Sequence, residues 1–327
     1  MQLPPVPASW MELTWDQLMS VMGIIGKESD RTARFVRLYT FLTGVEVRKA
    51  DASITPDNND SALVLSYNGE MSLVNAGDFY LYLFGLELDA DNKPSGVDAI
   101  ATKGALSWTD EPYTLYQLPK EYVRIGWHKF KLPEPLFTSI TYQQFGNMQK
   151  ILQQYWQLSR QLTASDKQGP EDKSLVAKLY RLRAQFMSHT LCGGSLRLIR
   201  KDSEAVFVSP KYTYTYSVEK AERNIKYFYK ASDELFLVLQ QYFSSCIEYY
   251  RQQMPELFSS SNKIEEKSPI IAEIDTVNAI MKWKGAYPTH QDVYDTNAIF
   301  IFGDLKDMAR EARDIERANA TVNSHRR

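Results

Sequence analysis

The side chains best suited to nucleophilic or metal chemistry are scarce in this chain: two Cys and four His among 327 residues. Cys192 follows His189 by three positions, a spacing that can pair a thiol with a base. Near a helix end the same spacing is an ordinary structural arrangement. His128, His189, His290 and His325 are scattered, and only His290 has carboxylates close by, at Asp292 and Asp295. Those three residue types can ligate a metal, but acids in the first turn of a helix account for them more simply. Gly193-Gly194 lacks the further glycines and the Lys-Ser/Thr pair of a phosphate-binding loop. No catalytic residue, cofactor or metal site is therefore expected, and the chain does not read as an enzyme. Two thiols in so long a chain fit a reducing compartment, where both are expected free and buried.

Two aromatic features remain. Arg197, Arg200 and Lys201 stand near alternating Tyr212, Tyr214 and Tyr216. Cations beside stacking rings can hold a single strand of nucleic acid, but alternating tyrosines also mark a half-buried strand, and nucleic-acid binding is not expected. The chain is rich in rings, with 20 Tyr, 15 Phe and 6 Trp. They are dense over 217–258, and Leu235–Tyr250 carries more apolar residues than one helical stripe needs. Either that helix is buried on nearly all sides or one face awaits another chain. Tyr242, Tyr249, Tyr250 and Trp283 are the leading partner-binding candidates.

The elements that must position these groups have clear local signals. Thr14 and Gln17 form a capping box, flanked by Leu13 and Leu18 as a hydrophobic staple. The pattern predicts a helix from Trp15 to about Lys27 and a second over Arg31–Thr43, closed by Gly44. Ala62–Tyr67 and Met71–Val74 flank Asn68-Gly69, the signature of a tight hairpin. Phe79–Leu88 is ambiguous between helix and strand, and Tyr122–Leu132 alternates as one strand. Thr141 and Gln144, between Ile140 and Phe145, repeat the box and staple. A helix then follows, and its partner spans Ser174–Thr190. A hairpin is expected over Leu196–Val208, turning at Lys201-Asp202-Ser203. The remainder reads as a helical region over 217–258 broken at Pro255, a linker at 259–268, a helix over Pro269–Trp283, and one long helix from Thr289 to Ala318 with a frayed end. The expected fold class is α+β, mainly helical: two helix-pair-plus-β-hairpin units related by internal duplication, then a helical C-terminal region. The domain boundaries are 1–120, 121–208 and 209–327.

Formal net charge is −2, too small to drive binding to nucleic acid or membrane. It is unevenly spread. Residues 1–120 hold 9 basic and 16 acidic side chains, net −7; residues 121–205 hold 13 and 7, net +6. The two regions either attract one another or meet complementary partners. No run of about 18 apolar residues occurs, so no membrane span is expected, and MQLPPVPASW does not read as a signal peptide.

Leu-Thr-Trp-x-Gln-Leu at 13–18, Tyr-Val-Arg-Ile-Gly-Trp-His-Lys-Phe at 122–130 and Ile-Thr-Tyr-Gln-Gln-Phe at 140–145 resemble tail-region proteins of tailed phages and prophages. Asp275–Trp283 and Val293–Asn297 share that look. In particular the layout is similar to tail assembly chaperone-like proteins, although those are usually shorter and lack the 62–74 hairpin. The resemblance implies a non-enzymatic assembly factor that keeps an aggregation-prone tail protein, such as the tape-measure protein, soluble. Its setting would be the cytoplasm of the bacterial host. The alternative is a structural virion component, a head–tail connector or tail-completion protein, with self-association faces. The implied partner is a phage tail or virion protein, without membrane or nucleic acid.

Overall fold

The computed structural model describes residues 4–50, 62–84, 104–110, 114–164, 170–192, 196–198, 212–214, 216–258, 269–283, 285 and 287–325. The fold is α+β and mainly helical, with small antiparallel sheets. Helices α1 (Trp15–Lys27) and α2 (Arg31–Thr43) lead into β1 (Glu46–Lys49), β2 (Ala62–Tyr67), β3 (Glu70–Asn75) and α3 (Ala76–Phe84). The hairpin β4 (Tyr122–Ile125) and β5 (His128–Lys131) precedes α4 (Tyr142–Ala164) and α5 (Pro170–Thr190). Strands β6 (Leu196–Leu198) and β7 (Tyr212–Tyr214) follow. The chain ends in α6 (Val218–Phe228), α7 (Asp233–Gln253), α8 (Pro255–Phe258), α9 (Pro269–Lys282), α10 (His290–Asp295) and α11 (Ala298–His325).

Most local signals act as the sequence suggests. Thr14 accepts from the Gln17 amide while the Gln17 side chain accepts from the Thr14 amide. Asp30 caps α2, and Gly44 closes it at φ 73°. Asn68 and Gly69 both take positive φ, 50° and 83°, as the β2–β3 turn requires. The ambiguous segment from Phe79 is helical as far as Phe84, because the Asn75 side chain accepts from the Gly77 and Asp78 amides and starts α3. Residues 85–88 lie outside the described residues.

Several expectations are corrected. Tyr122–Leu132 is a hairpin rather than one strand, because Gly126 reverses the chain at φ 58°. The helix expected over 289–318 breaks in two. Thr296 is extended, Asn297 bridges back to Thr141, and the Asn297 side chain caps α11 at the Ile299 amide. Helix α11 also continues to His325 rather than fraying after 318. The second capping box is only half formed: Thr141 accepts from the Gln144 amide, but the Gln144 side chain turns away to donate to the His189 carbonyl. The two helix pairs thus share a capping threonine but differ in length, 13 and 13 residues against 23 and 21. Strand β6 pairs with 212–214 rather than with the segment before Val208, and the turn expected at 201–203 lies outside the described residues.

The chain forms two compact units, not three in succession. One comprises Met1–Leu115 with Asp233–Ser245; the other comprises Tyr116–Ser232 with Cys246–Arg327. The region from 209 does not stand alone, because the apolar faces of α7 belong to two cores.

In the first unit the sheet runs β1–β2–β3, antiparallel throughout. Leu63 and Leu65 of β2 are buried, as are Leu18 and Val21 of α1 and Phe35, Leu38 and Tyr39 of α2. The first turns of α7 complete this core with Leu235, Phe236, Val238, Leu239, Tyr242 and Phe243. In the second unit α4 packs along α5 and α5 on α6. Val277, Ile280, Val293 and Ile301 form a further cluster from α9, α10 and α11. Among the described residues no helix is long and apolar enough to cross a membrane.

Candidate docking site

Among the described residues the β4–β5 hairpin projects the most exposed large hydrophobic side chain, Trp127. Its register pairs Tyr122 with Lys131, Val123 with Phe130, Arg124 with Lys129 and Ile125 with His128. Only Gly126 and Trp127 lie between the last pair. A two-residue loop needs positive φ at its first position, which Gly126 supplies.

Alternation then sorts the side chains onto two faces. On the inner face Val123, Ile125 and Phe130 are buried. The Phe130 ring lies 4.8 Å from that of Phe228, and the His128 ring 3.8 Å from that of Tyr227. These contacts fix the hairpin to α6. On the outer face Tyr122, Arg124 and Lys129 are exposed, and the Lys129 ammonium sits 3.9 Å above the Tyr122 ring. Lys131 pairs with Glu134 at 2.6 Å. Among the described residues no carboxylate pairs with Arg124 or Lys129. Trp127 at the tip is 101% exposed. The strand pair thus carries Trp127, Tyr122 and Arg124, residue types over-represented where partners bind most strongly, with Lys129 beside them and no described carboxylate paired to either cation. The signal was present in the sequence as a glycine inside an alternating run, which marks a bend or turn rather than a continuous strand.

The residues singled out from the sequence lie elsewhere. Tyr242 is fully buried and Tyr250 is 5% exposed, so neither presents a surface. Tyr250 instead donates its hydroxyl to the Leu136 carbonyl at 2.7 Å. Tyr249 is half-buried against the rings of Tyr116 and Tyr250. Trp283 is half-buried, with its indole N–H donating to Glu311 at 2.9 Å. The structure does not gather these four into one exposed strip. Of the two outcomes open for Leu235–Tyr250, burial on nearly all sides is the one observed: α7 buries Leu235, Phe236, Val238, Leu239, Tyr242, Phe243, Cys246 and Tyr250.

The groups with potential chemistry are also spent locally. His290 meets Asn278, Asp292 closes the cap on Thr289, and Asp295 accepts from Gln291, so the three do not converge. Both cysteines are buried, and burial pushes the Cys192 thiol up. His189 does not face Cys192. Its Nδ1 meets the Tyr216 hydroxyl, and its Nε2 meets Glu222 at 3.2 Å. Asn147 donates to the same Tyr216 hydroxyl at 3.1 Å. Tyr216 is therefore a buried member of this network rather than a stacking platform. Arg200 and Lys201 lie outside the described residues, as do the side chains of Arg197, Tyr212 and Tyr214. Among the described residues no group of three or more His, Cys, Asp or Glu is placed to hold a metal. The chain matches no family model, no curated protein and no solved structure with which it was compared.

Proposed function

We propose that this chain is a non-enzymatic phage tail assembly factor. It binds an aggregation-prone tail protein, such as the tape-measure protein, in the cytoplasm of the bacterial host. The observation that carries the reading is Trp127, wholly exposed on a hairpin whose inner face is locked to α6. A factor that shields apolar segments needs apolar side chains outside its own core, held on a framework that does not collapse around them. The partner proposed is the one implied by the resemblance of the short motifs at 13–18, 122–130 and 140–145 to tail chaperone-like proteins. Co-expression tests the proposal: with this chain present, the tape-measure protein of the same phage should move from the pellet to the supernatant. A tape-measure protein equally insoluble with and without the chain would sink it.

A second reading, a structural virion component, draws on the sheet of the first unit. Met71 and Leu73 are 77% and 51% exposed on β3, one of the two edge strands of this sheet among the described residues. An apolar strand edge is suited to self-association. Detection of the chain in purified particles would favour it.

A further inference from the structure

We infer that the outward face of the β4–β5 hairpin docks an acidic segment of a protein partner, with an apolar residue beside its carboxylates seated against Trp127. The inference rests on the reading of the chain as a protein-binding factor and names the chemistry of what it binds.

Arg124 and Lys129 are direct cross-strand partners. Like charges in that position work against the pairing, and none of the described carboxylates offsets them. Lys131, one pair further down, shows how this hairpin treats a cation it neutralises itself, through Glu134 at 2.6 Å. Lys129 leans instead onto the Tyr122 ring. A repulsive pair left open beside a fully exposed Trp is a surface completed by a ligand of opposite charge. Carboxylates meeting Arg124 and Lys129 would relieve the repulsion, and enclosure of the indole would remove its apolar area from water.

Single-stranded nucleic acid fits less well. Strand-tracking sites stack successive bases on successive rings. Here the Tyr122 face is taken by Lys129, and the His128 ring lies against Tyr227. Only Trp127 offers a free plane.

The test uses the full chain and a short fluorescein-labelled peptide of Asp, Glu and Leu. Its controls are the Asn/Gln version of the peptide and a labelled oligothymidylate. Fluorescence anisotropy should show binding of the acidic peptide that weakens with salt. Binding should fall about tenfold or more in R124E/K129E, which replaces both ion pairs with repulsion, and similarly in W127A, while R124K/K129R retains it. In the wild-type chain the peptide should slow amide exchange within 122–131, a readout independent of any variant. No binding of the acidic peptide, equal binding of the neutral peptide, or tighter binding of the oligothymidylate would overturn the inference. So would a wild-type dimer in sedimentation that W127A converts to monomer, since the occupant would then be a second copy. The two readings fail separately. Peptide binding at the hairpin without tape-measure solubilisation removes the phage role and leaves the acidic dock. Solubilisation that survives R124E/K129E removes the dock and leaves the role.

Discussion

Two tyrosines show how a side chain's chemistry is consumed by structure. Leu136 and Phe137 are consecutive non-glycine residues at positive φ, 52° and 63°, a backbone state that costs about 1–2 kcal/mol per residue. The strained turn is pinned from outside. Tyr250 donates to the Leu136 carbonyl, and the Asn297 side chain donates to the Thr138 carbonyl at 2.7 Å. Burial raises the Tyr250 phenol and so keeps its proton in place to donate. Tyr250→Phe removes that bond from a largely enclosed site and should cost about 1–2 kcal/mol in urea denaturation. An unchanged midpoint would show that the turn holds without it. Tyr216 has the second role, as partner of His189. Burial lowers the His189 pKa, with Glu222 opposing the shift. The neutral ring satisfies both neighbours, accepting from Tyr216 at Nδ1 and donating to Glu222 from Nε2. The unfolded chain takes up a proton near pH 6.5, whereas the folded chain resists until lower pH. The stability from this group is fully present above about pH 6.5 and declines below it towards the folded pKa. His189→Asn keeps an acceptor for Tyr216 and cannot titrate. Its stability should therefore fall less than that of the parent chain as pH drops from about 6.5 to 5. Parallel pH profiles would show otherwise.

At the scale of elements, the two capping threonines separate what a sequence can state from what it cannot. Thr14 is exposed and its box is wholly local, six residues that carry their own instructions. Thr141 carries the same signal but is fully buried and bridged to Asn297. Its box partner Gln144 is drawn away by a carbonyl of α5. Thr14→Ala should cost about 1 kcal/mol. Thr141→Ala should cost more, about 2 kcal/mol, because it leaves the Gln144 amide without an acceptor where water does not reach. Equal midpoints in thermal or urea unfolding would contradict this ranking. The same contrast explains the rest of the reading. Helices α1 and α2 and the turn at Asn68-Gly69 were legible because their signals are adjacent in sequence. The break at Thr296-Asn297 was not, since Asn297 is held by the 137–141 segment, remote in the chain. The docking hairpin was half legible: alternation identified its strands, and its buried positions shift from odd at Val123 and Ile125 to even at Phe130 across Gly126-Trp127, a phase change that with the glycine marks the turn. The aromatic density of α7 carried no information on burial, because core and interface draw on the same residue types.

For the whole molecule, the discontinuous composition of the first unit is the decisive property. Residues 1–115 lack part of their own core, which α7 supplies. Its fit against α1 is close. A Cβ on Gly26 would lie 2.6 Å from Leu237 Cδ1, and one on Gly23 would lie 3.0 Å from Glu234 Cγ. Lys27 pairs with Glu234 at 2.9 Å, and the Ser245 hydroxyl accepts from the Leu115 amide. A fragment ending at residue 120 would expose every apolar side chain that α7 covers. We expect such a fragment to lack a cooperative thermal transition and to bind a hydrophobic dye. Its sharp, two-state melting would show that α7 is dispensable to that core. Deleting 217–318 takes residues from both units, so loss of a partner would report unfolding as readily as loss of a surface. Single substitutions at Arg124, Trp127 and Lys129 avoid that ambiguity. Their side chains are exposed, and surface changes of this kind usually move stability by no more than about 0.5 kcal/mol.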